Sequence, residues 1–191
     1  VEALNLGSAT PSWLDGLSLD GLSLDPLPPE TRQRLLRFAL GTQDSALLPL
    51  EQITEILRVD VAEILSVPEV PDGVLGICNW RGEMLWLIDL CHIAGYGSPF
   101  QQEPLPTALM VMVVQFNQQS IGIGVPQVNE IELHDLQQIQ PVLPGLVAPE
   151  LLPLVLGLLP AGNDVVLNIK AIVEYPLWQK HQRECPAPFS A

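Results

Sequence analysis

Positive charge is what this chain has least of. Eight Lys and Arg stand against 22 Asp and Glu in 191 residues, a formal net charge of −14 at pH 7. Between Phe38 and Ile169 the only cations are Arg58 and Arg81. Such a surface repels phosphate backbones and anionic headgroups, which argues against nucleic acid as a partner. Long apolar runs are missing too. Ala108 to Val114 is strand length, and Leu151 to Leu159 is broken by Pro153 and Gly157. Neither approaches the roughly 18 to 20 residues that cross a bilayer, so no direct membrane insertion is expected. No basic segment followed by an apolar one opens the sequence, so no secretory signal is expected either. The expected location is the cytoplasm.

The groups that carry chemistry are sparse and badly placed for it. Cys78, Cys91 and Cys185 are an odd number without metal-ligand spacing, and read as reduced thiols, two of them inside apolar elements. Cys91 and His92 are sequence neighbours, so on a helix their side chains diverge by about 100° and cannot form a nucleophile–base pair. His134 and Asp135 have the same defect, and His181 lies near the end of the chain. Glu55 and Glu130 read as symmetry-related surface acids rather than an acid–base pair. Gly122 and Gly124 alternate within a strand pattern, where a missing side chain admits a close neighbour; they do not form a phosphate loop. Catalysis, a metal and a cofactor are therefore not expected.

What is present centres on Val74 to Leu90. Gly76 to Trp80 leads into a turn at Arg81-Gly82-Glu83, and Met84 to Ile88 leads out as a strand. Gly82 suits a turn position of positive φ. Met84, Trp86 and Ile88 point one way and Leu85 and Leu87 the other, so this strand is apolar on both faces and belongs inside a sheet. Asp89 then opens a short helix over Leu90 to Ala94 that stops at Gly95. The turn sets one arginine at the rim of a rigid hairpin.

Residues 1–34 are a low-complexity acidic leader in which Leu14-Asp15-Gly16-Leu17-Ser18 recurs as Leu19-Asp20-Gly21-Leu22-Ser23. A five-residue period fits neither helix nor strand, so a flexible tether is expected, with its leucines available to dock in a groove. Glu30 to Arg37 opens as a helical turn and becomes a strand through Leu40. Strands follow at Ala46 to Leu50 and Ile53 to Leu57, the latter with Ile53 and Glu55 on one face and Thr54 and Ile56 on the other. Glu63 to Pro68 is extended, and Pro71 begins a short helical segment. The Gly-, Pro- and Gln-rich run from Gly95 to Pro106 reads as a linker between lobes.

The second half then repeats the first. Ile53-x-Glu55-Ile56 returns as Val128-x-Glu130-Ile131, and Val74 to Ile77 as Leu154 to Leu158. Val165 to Ala171 matches Met84 to Leu90 at a constant offset, except that the second turn, Ala161-Gly162-Asn163-Asp164, has no arginine. The expected fold is all-β with short helices, two pseudo-symmetric five-stranded β-barrel lobes around a shared groove. It spans 35–175, with 176–191 as a tail.

The central hairpin resembles that of the CheW-type domain, which reads roughly G-x-x-N-x-R-G-x-[apolar]-x-P-[apolar]-[apolar]-D-L. Gly76, Asn79, Arg81, Gly82, Asp89 and Leu90 match, and Trp86 stands where the family usually has proline. The segment Pro49-Leu50-x-x-Ile53-x-Glu55-Ile56-Leu57 is similar to a second family pattern. Pro126 and Asn168 are further departures, each at a place where the family often has an acid. The resemblance implies a non-enzymatic adaptor whose partners are the regulatory domain of a CheA-type histidine kinase and the cytoplasmic tip of chemoreceptors. A stand-alone module that binds the kinase without receptors is the alternative. The partner-facing residues it implies, joined with the apolar neighbours of Glu55 and Arg81, are Ile53, Glu55, Ile56, Arg58, Asn79, Trp80, Arg81 and Gly82.

Overall fold

Period-two burial decides the architecture. The computed structural model describes residues 31–41, 44–101, 106–117, 119–143, 145–160 and 164–175. The leader over 1–30, the turn residues 161–163, and the tail with His181 and Cys185 lie outside them. In β3 (Ile53–Asp60) every second residue from Thr54 is exposed and the residues between are covered, as expected for a sheet with one wet face. The other strands are β1 (Arg32–Ala39), β2 (Ser45–Pro49), β4 (Val74–Trp80), β5 (Glu83–Asp89), β6 (Ala108–Phe116), β7 (Gln119–Val125), β8 (Val128–Asp135), β9 (Val155–Leu158) and β10 (Val165–Leu167). Two short helices, α1 (Leu90–Ile93) and α2 (Ile169–Val173), follow β5 and β10. Each is capped by the residue before it: Asp89 accepts from the His92 amide at 3.1 Å and Asn168 from the Ala171 amide at 3.3 Å.

The strands form two five-stranded sheets, β8-β1-β2-β10-β9 and β3-β6-β7-β5-β4. Exchanging β1 with β6, β2 with β7, β3 with β8, β4 with β9 and β5 with β10 converts one order into the other. This is the expected all-β fold of two pseudo-symmetric five-stranded lobes. It adds one feature: each half of the chain lends its third strand to the other half, since β3 pairs with β6 and β8 with β1. The lobes are named here by their arginines, the Arg37 lobe for the sheet holding β1 and the Arg81 lobe for the sheet holding β5.

Strand exchange corrects the reading of Gly95 to Pro106 as an inter-lobe linker. That run joins β5 to β6, both in the Arg81 lobe; the chain crosses between lobes at Leu50–Gln52 and again after β7. Two local expectations also change. Arg32 to Ala39 is extended throughout, because β8 and β2 flank it and take its backbone groups. Pro71 to Gly73 is a turn closed by the Val74 amide on the Pro71 carbonyl at 3.1 Å, not a helix. The repeat also has a finer register. Val165 lies beside Ala46 as Trp86 lies beside Ile121, so Asn168 answers to Asp89 and the offset is not constant across the hairpin. The β9–β10 hairpin is shorter than β4–β5.

Among the described residues, buried apolar side chains form three clusters. The largest cluster joins both sheets and includes Phe38, Leu48, Ile88, Met112 and Ile123. A smaller one, Cys78, Leu85, Leu87, Val111 and Val113 among its members, lies inside the Arg81 lobe. Leu35, Leu47, Leu159 and Val166 form its counterpart in the Arg37 lobe. Gly122 serves as expected: a Cβ there would stand 2.4 Å from Leu87 Cδ2. Each lobe is drawn shut where the segment after its third strand bridges its fourth, Leu65 to Ile77 in one and Gln140 to Leu158 in the other. A glycine makes room at both places. A Cβ on Gly76 would meet the Leu65 carbonyl oxygen at 2.3 Å, and one on Gly157 the Gln140 carbonyl oxygen at 2.7 Å.

Candidate partner-binding site

The turn between β4 and β5 is a two-residue loop. Trp80 pairs with Glu83, and Arg81 and Gly82 between them have φ of 53° and 86°, the double left-handed geometry that matches strand twist in tight hairpins. Glu83 is already in the strand, one residue earlier than expected. The Gly82 amide donates to Asn79 Oδ1 at 3.2 Å, so Asn79 holds the turn from within the hairpin. A left-handed conformation is unfavourable for a residue with a Cβ, by roughly 1 kcal/mol, and Arg81 adopts it with a φ of 53°.

Glu55 collects this hairpin from across the seam of the lobe. Its Oε2 accepts from the Trp80 indole Nε1 at 2.9 Å and faces Arg81 Nη2 at 2.8 Å. The Arg81 guanidinium lies over the Trp80 ring, 5.2 Å from its centroid, within cation–π range. Because β3 and β4 are the two outer strands of this sheet, the cluster seals one end of the lobe, with Trp80 packed against the inner apolar cluster. The Arg81 side chain keeps 65% of its exposure and Glu55 32%. An ion pair that open contributes no more than about 1 kcal/mol to folding.

The structure therefore brings Glu55, Asn79, Trp80, Arg81 and Gly82 together. The other three residues sit elsewhere. Ile53 packs against the cluster between the lobes. Ile56 and Arg58 are exposed on the opposite face of β3.

A second charged cluster escaped the sequence reading. In the Arg37 lobe, Arg37 forms ion pairs with Glu132 and with Asp164, the latter at 2.7 Å, and donates to Ser45 Oγ at 2.9 Å. His134 Nε2 lies 2.6 Å from Glu132 Oε2. All four titratable side chains are 18 to 26% exposed. Hydrogen bonding to Arg37 holds the Glu132 carboxyl down at about 2, and the two carboxylates hold the guanidinium proton more firmly than usual. The available signal was the charge inside Leu35-Leu36-Arg37-Phe38 and the alternation Glu132-Leu133-His134 in a strand.

Titratable groups are buried elsewhere too. Cys78 and Cys91 are free, buried thiols, as expected, and burial pushes Cys91 up to about 12. Burial likewise raises the Asp89 carboxyl. Among the described residues no group of three or more His, Cys, Asp or Glu could hold a metal ion, and no helix is long and apolar enough to cross a membrane.

Residues 34–175 match the family model of the CheW-like domain. The chemotaxis protein CheW of Klebsiella aerogenes is 27% identical over 110 residues, which cover 57% of this chain and 61% of that protein. The match thus spans about three fifths of the relative's length. Among solved structures, the scaffolding protein TtCheW of Thermoanaerobacter tengcongensis superposes with a TM-score of 0.58 at 21% identity, covering 71% of this chain and 87% of that one. At that identity the likeness concerns the fold.

Proposed function

The chain belongs to the CheW-like domain family, and on that premise we propose that it is a non-enzymatic scaffold of a chemotaxis-type pathway. In this reading it couples the cytoplasmic tips of chemoreceptors to the regulatory domain of a CheA-type histidine kinase, working in the cytoplasm and at the membrane only through its receptors. The names of the two relatives, a chemotaxis protein and a scaffolding protein, support it. The observation that carries it is the Glu55–Trp80–Arg81 cluster. An exposed cation on a rigid hairpin, in a molecule of net charge −14, is fixed by an indole and a carboxylate that both leave part of their surface open. Aromatic and arginine side chains so held are typical of residues that dominate protein–protein affinity. Kinase and receptor contacts need only modest individual strength where many copies assemble.

The test is titration of the protein with a kinase regulatory domain and, separately, with a receptor cytoplasmic tip. Arg81→Ala and Glu55→Ala should weaken the binding of at least one by roughly 1 to 3 kcal/mol with the fold intact. Equal affinities for all three proteins would remove the cluster from the interface. Binding of the kinase domain but not the receptor tip would favour the stand-alone module, a reading supported by Trp86 at a place where the family usually has proline.

A further inference from the structure

The two ends of the Arg81 lobe differ. One is sealed by Glu55, Trp80 and Arg81. At the other, past the end of β3 and beside the start of β4, lies a cavity of about 180 Å³ lined by Val61, Ile64, Ser66, Leu75, Phe100 and Leu109. Five of these six are apolar, and all five belong to the cluster inside the lobe or pack against it. Ser66 is exposed, so the cavity opens to solvent on that side. Backbone amides around it are already paired. The Val61 amide donates to the Thr107 carbonyl at 3.0 Å, the Ile64 amide to the Val61 carbonyl at 3.2 Å, and the Leu65 amide to the Ile77 carbonyl at 2.8 Å. The Phe100 amide donates to Ser98 Oγ at 3.2 Å. An ordered water needs several polar partners, and among the lining side chains only Ser66 offers one.

The Arg37 lobe treats the same place differently. Leu156 answers to Leu75, since Gly157 lies beside Val166 as Gly76 lies beside Leu87. Ile139 answers to Ile64, since Gln140 bridges Leu158 as Leu65 bridges Ile77. A Cβ on Gly76 would stand 3.1 Å from Ile64 Cγ2, whereas one on Gly157 would stand 2.1 Å from Ile139 Cγ2. Ile139 thus reaches further into its lobe, and with Leu136 it packs on Leu35, Leu47, Leu159 and Val166. The place of Leu109, beside Val59, is taken there by Gln33, beside His134, and Gln33 is exposed. One lobe takes up with its own isoleucine a space that the other leaves open.

We infer that this cavity is a binding site for an uncharged, largely apolar small molecule about the size of a substituted benzene ring. The size follows from the volume, since a dry apolar cavity of about 150 Å³ holds benzene. Charge is excluded by the lining: none of the six residues is ionisable, and taking an ion out of water without a partner is costly. A molecule there touches Val61 and Ile64 beyond β3 and Leu75 on β4, so it braces the seam that Leu65 and Ile77 close. Such binding needs neither kinase nor receptor and goes beyond the scaffold reading.

The probe is toluene, titrated into the intact protein and followed by methyl and aromatic NMR. Signals of Val61, Ile64, Leu75, Leu109 and Phe100 should shift and saturate, while those of Leu136, Ile139 and Leu156 stay in place. Benzoate and protonated benzylamine, the same ring with a charge of either sign, should bind at least tenfold more weakly. Two variants fill the cavity from different sides: Leu75→Trp from the wall, and Ser66→Phe from the exposed rim, where folding is retained. Each should weaken toluene binding at least tenfold and abolish the rise in thermal midpoint that toluene gives the parent protein. Leu156→Trp, the same change in the other lobe, and Arg81→Ala should leave toluene binding unchanged. Shifts that grow without saturating, an affinity equal to the parent's in either filled variant, or equal affinity for a charged probe would overturn the inference.

Discussion

The two lobes share one frame and seal it by opposite means. In the Arg81 lobe the hairpin supplies the cation and the third strand the carboxylate, and the pair stands in solvent. In the Arg37 lobe the shorter hairpin leads into β10 through Asp164, β8 supplies Glu132, and an arginine from the middle of the sheet joins them behind partial cover. Register equivalence sharpens the contrast. Arg37 lies beside Leu47 as Val113 lies beside Gly122, and Glu132 lies beside Leu35 as Leu57 lies beside Val111. Where one lobe has aliphatic side chains the other has an ionic network. The shielded network stabilises the fold, whereas the open cluster adds little to it and is free to serve a partner.

Breaking the shielded network has the largest expected effect. Arg37→Ala leaves Glu132 and Asp164 facing each other without a cation, and should cost about 3 kcal/mol in urea unfolding. Rebuilding the lobe on its twin, with Arg37→Val, Glu132→Leu and Asp164→Leu together, should recover most of that loss, because a well-packed apolar set is often as stable as a shielded ion pair. A triple variant no better than Arg37→Ala would mean that the lobes are not interchangeable frames.

The closing glycines come next. Gly76→Ala meets a backbone oxygen at 2.3 Å and carries a φ of 136°, so a loss of about 2 to 3 kcal/mol is expected. Gly157→Ala, in ordinary φ space, meets the movable Ile139 Cγ2 at 2.1 Å and a backbone oxygen at 2.7 Å, and should cost less. Thermal unfolding of both variants compares the two closures directly.

Acid provides a smaller, graded test. The Glu132 carboxyl is held at about 2 in the folded chain against an ordinary 4.5. Its contribution is complete above the ordinary value and is lost as pH falls from there toward 2. Stability should therefore decline through that window, and Glu132→Gln should be less stable at pH 7 with a shallower acid slope. Smallest of all is the effect of Arg81→Ala on folding, under about 1 kcal/mol.

Much of this was legible in the chain. The repeat predicted two similar lobes because Ile53-x-Glu55-Ile56 and Val128-x-Glu130-Ile131 do occupy equivalent strands, facing Met112 and Leu36 at matching positions. The hairpin, Gly82 and the Asp89 cap were legible because local backbone chemistry dictates them. Strand exchange was not, since nothing in a local pattern says which neighbour an edge strand will choose. Hence Gly95 to Pro106 looked like a linker between lobes. The Arg37 network was hidden for a related reason: its charges lie far apart in the chain and meet only once β1, β8 and the start of β10 are side by side. Of the eight residues singled out for partner contact, five converge. Ile56 and Arg58 do not join them because alternation along β3 turns them to the other face, and Ile53 is taken up by the core between the lobes.

The central claim is that the Glu55–Trp80–Arg81 end serves partners and not the fold. Calorimetric titration of Arg81→Ala with a CheA-type kinase regulatory domain and with a receptor cytoplasmic tip, at a urea midpoint matching the parent protein, tests it most directly. The account predicts at least about a fivefold loss of affinity for one of the two; affinities equal to those of the parent protein for both contradict it.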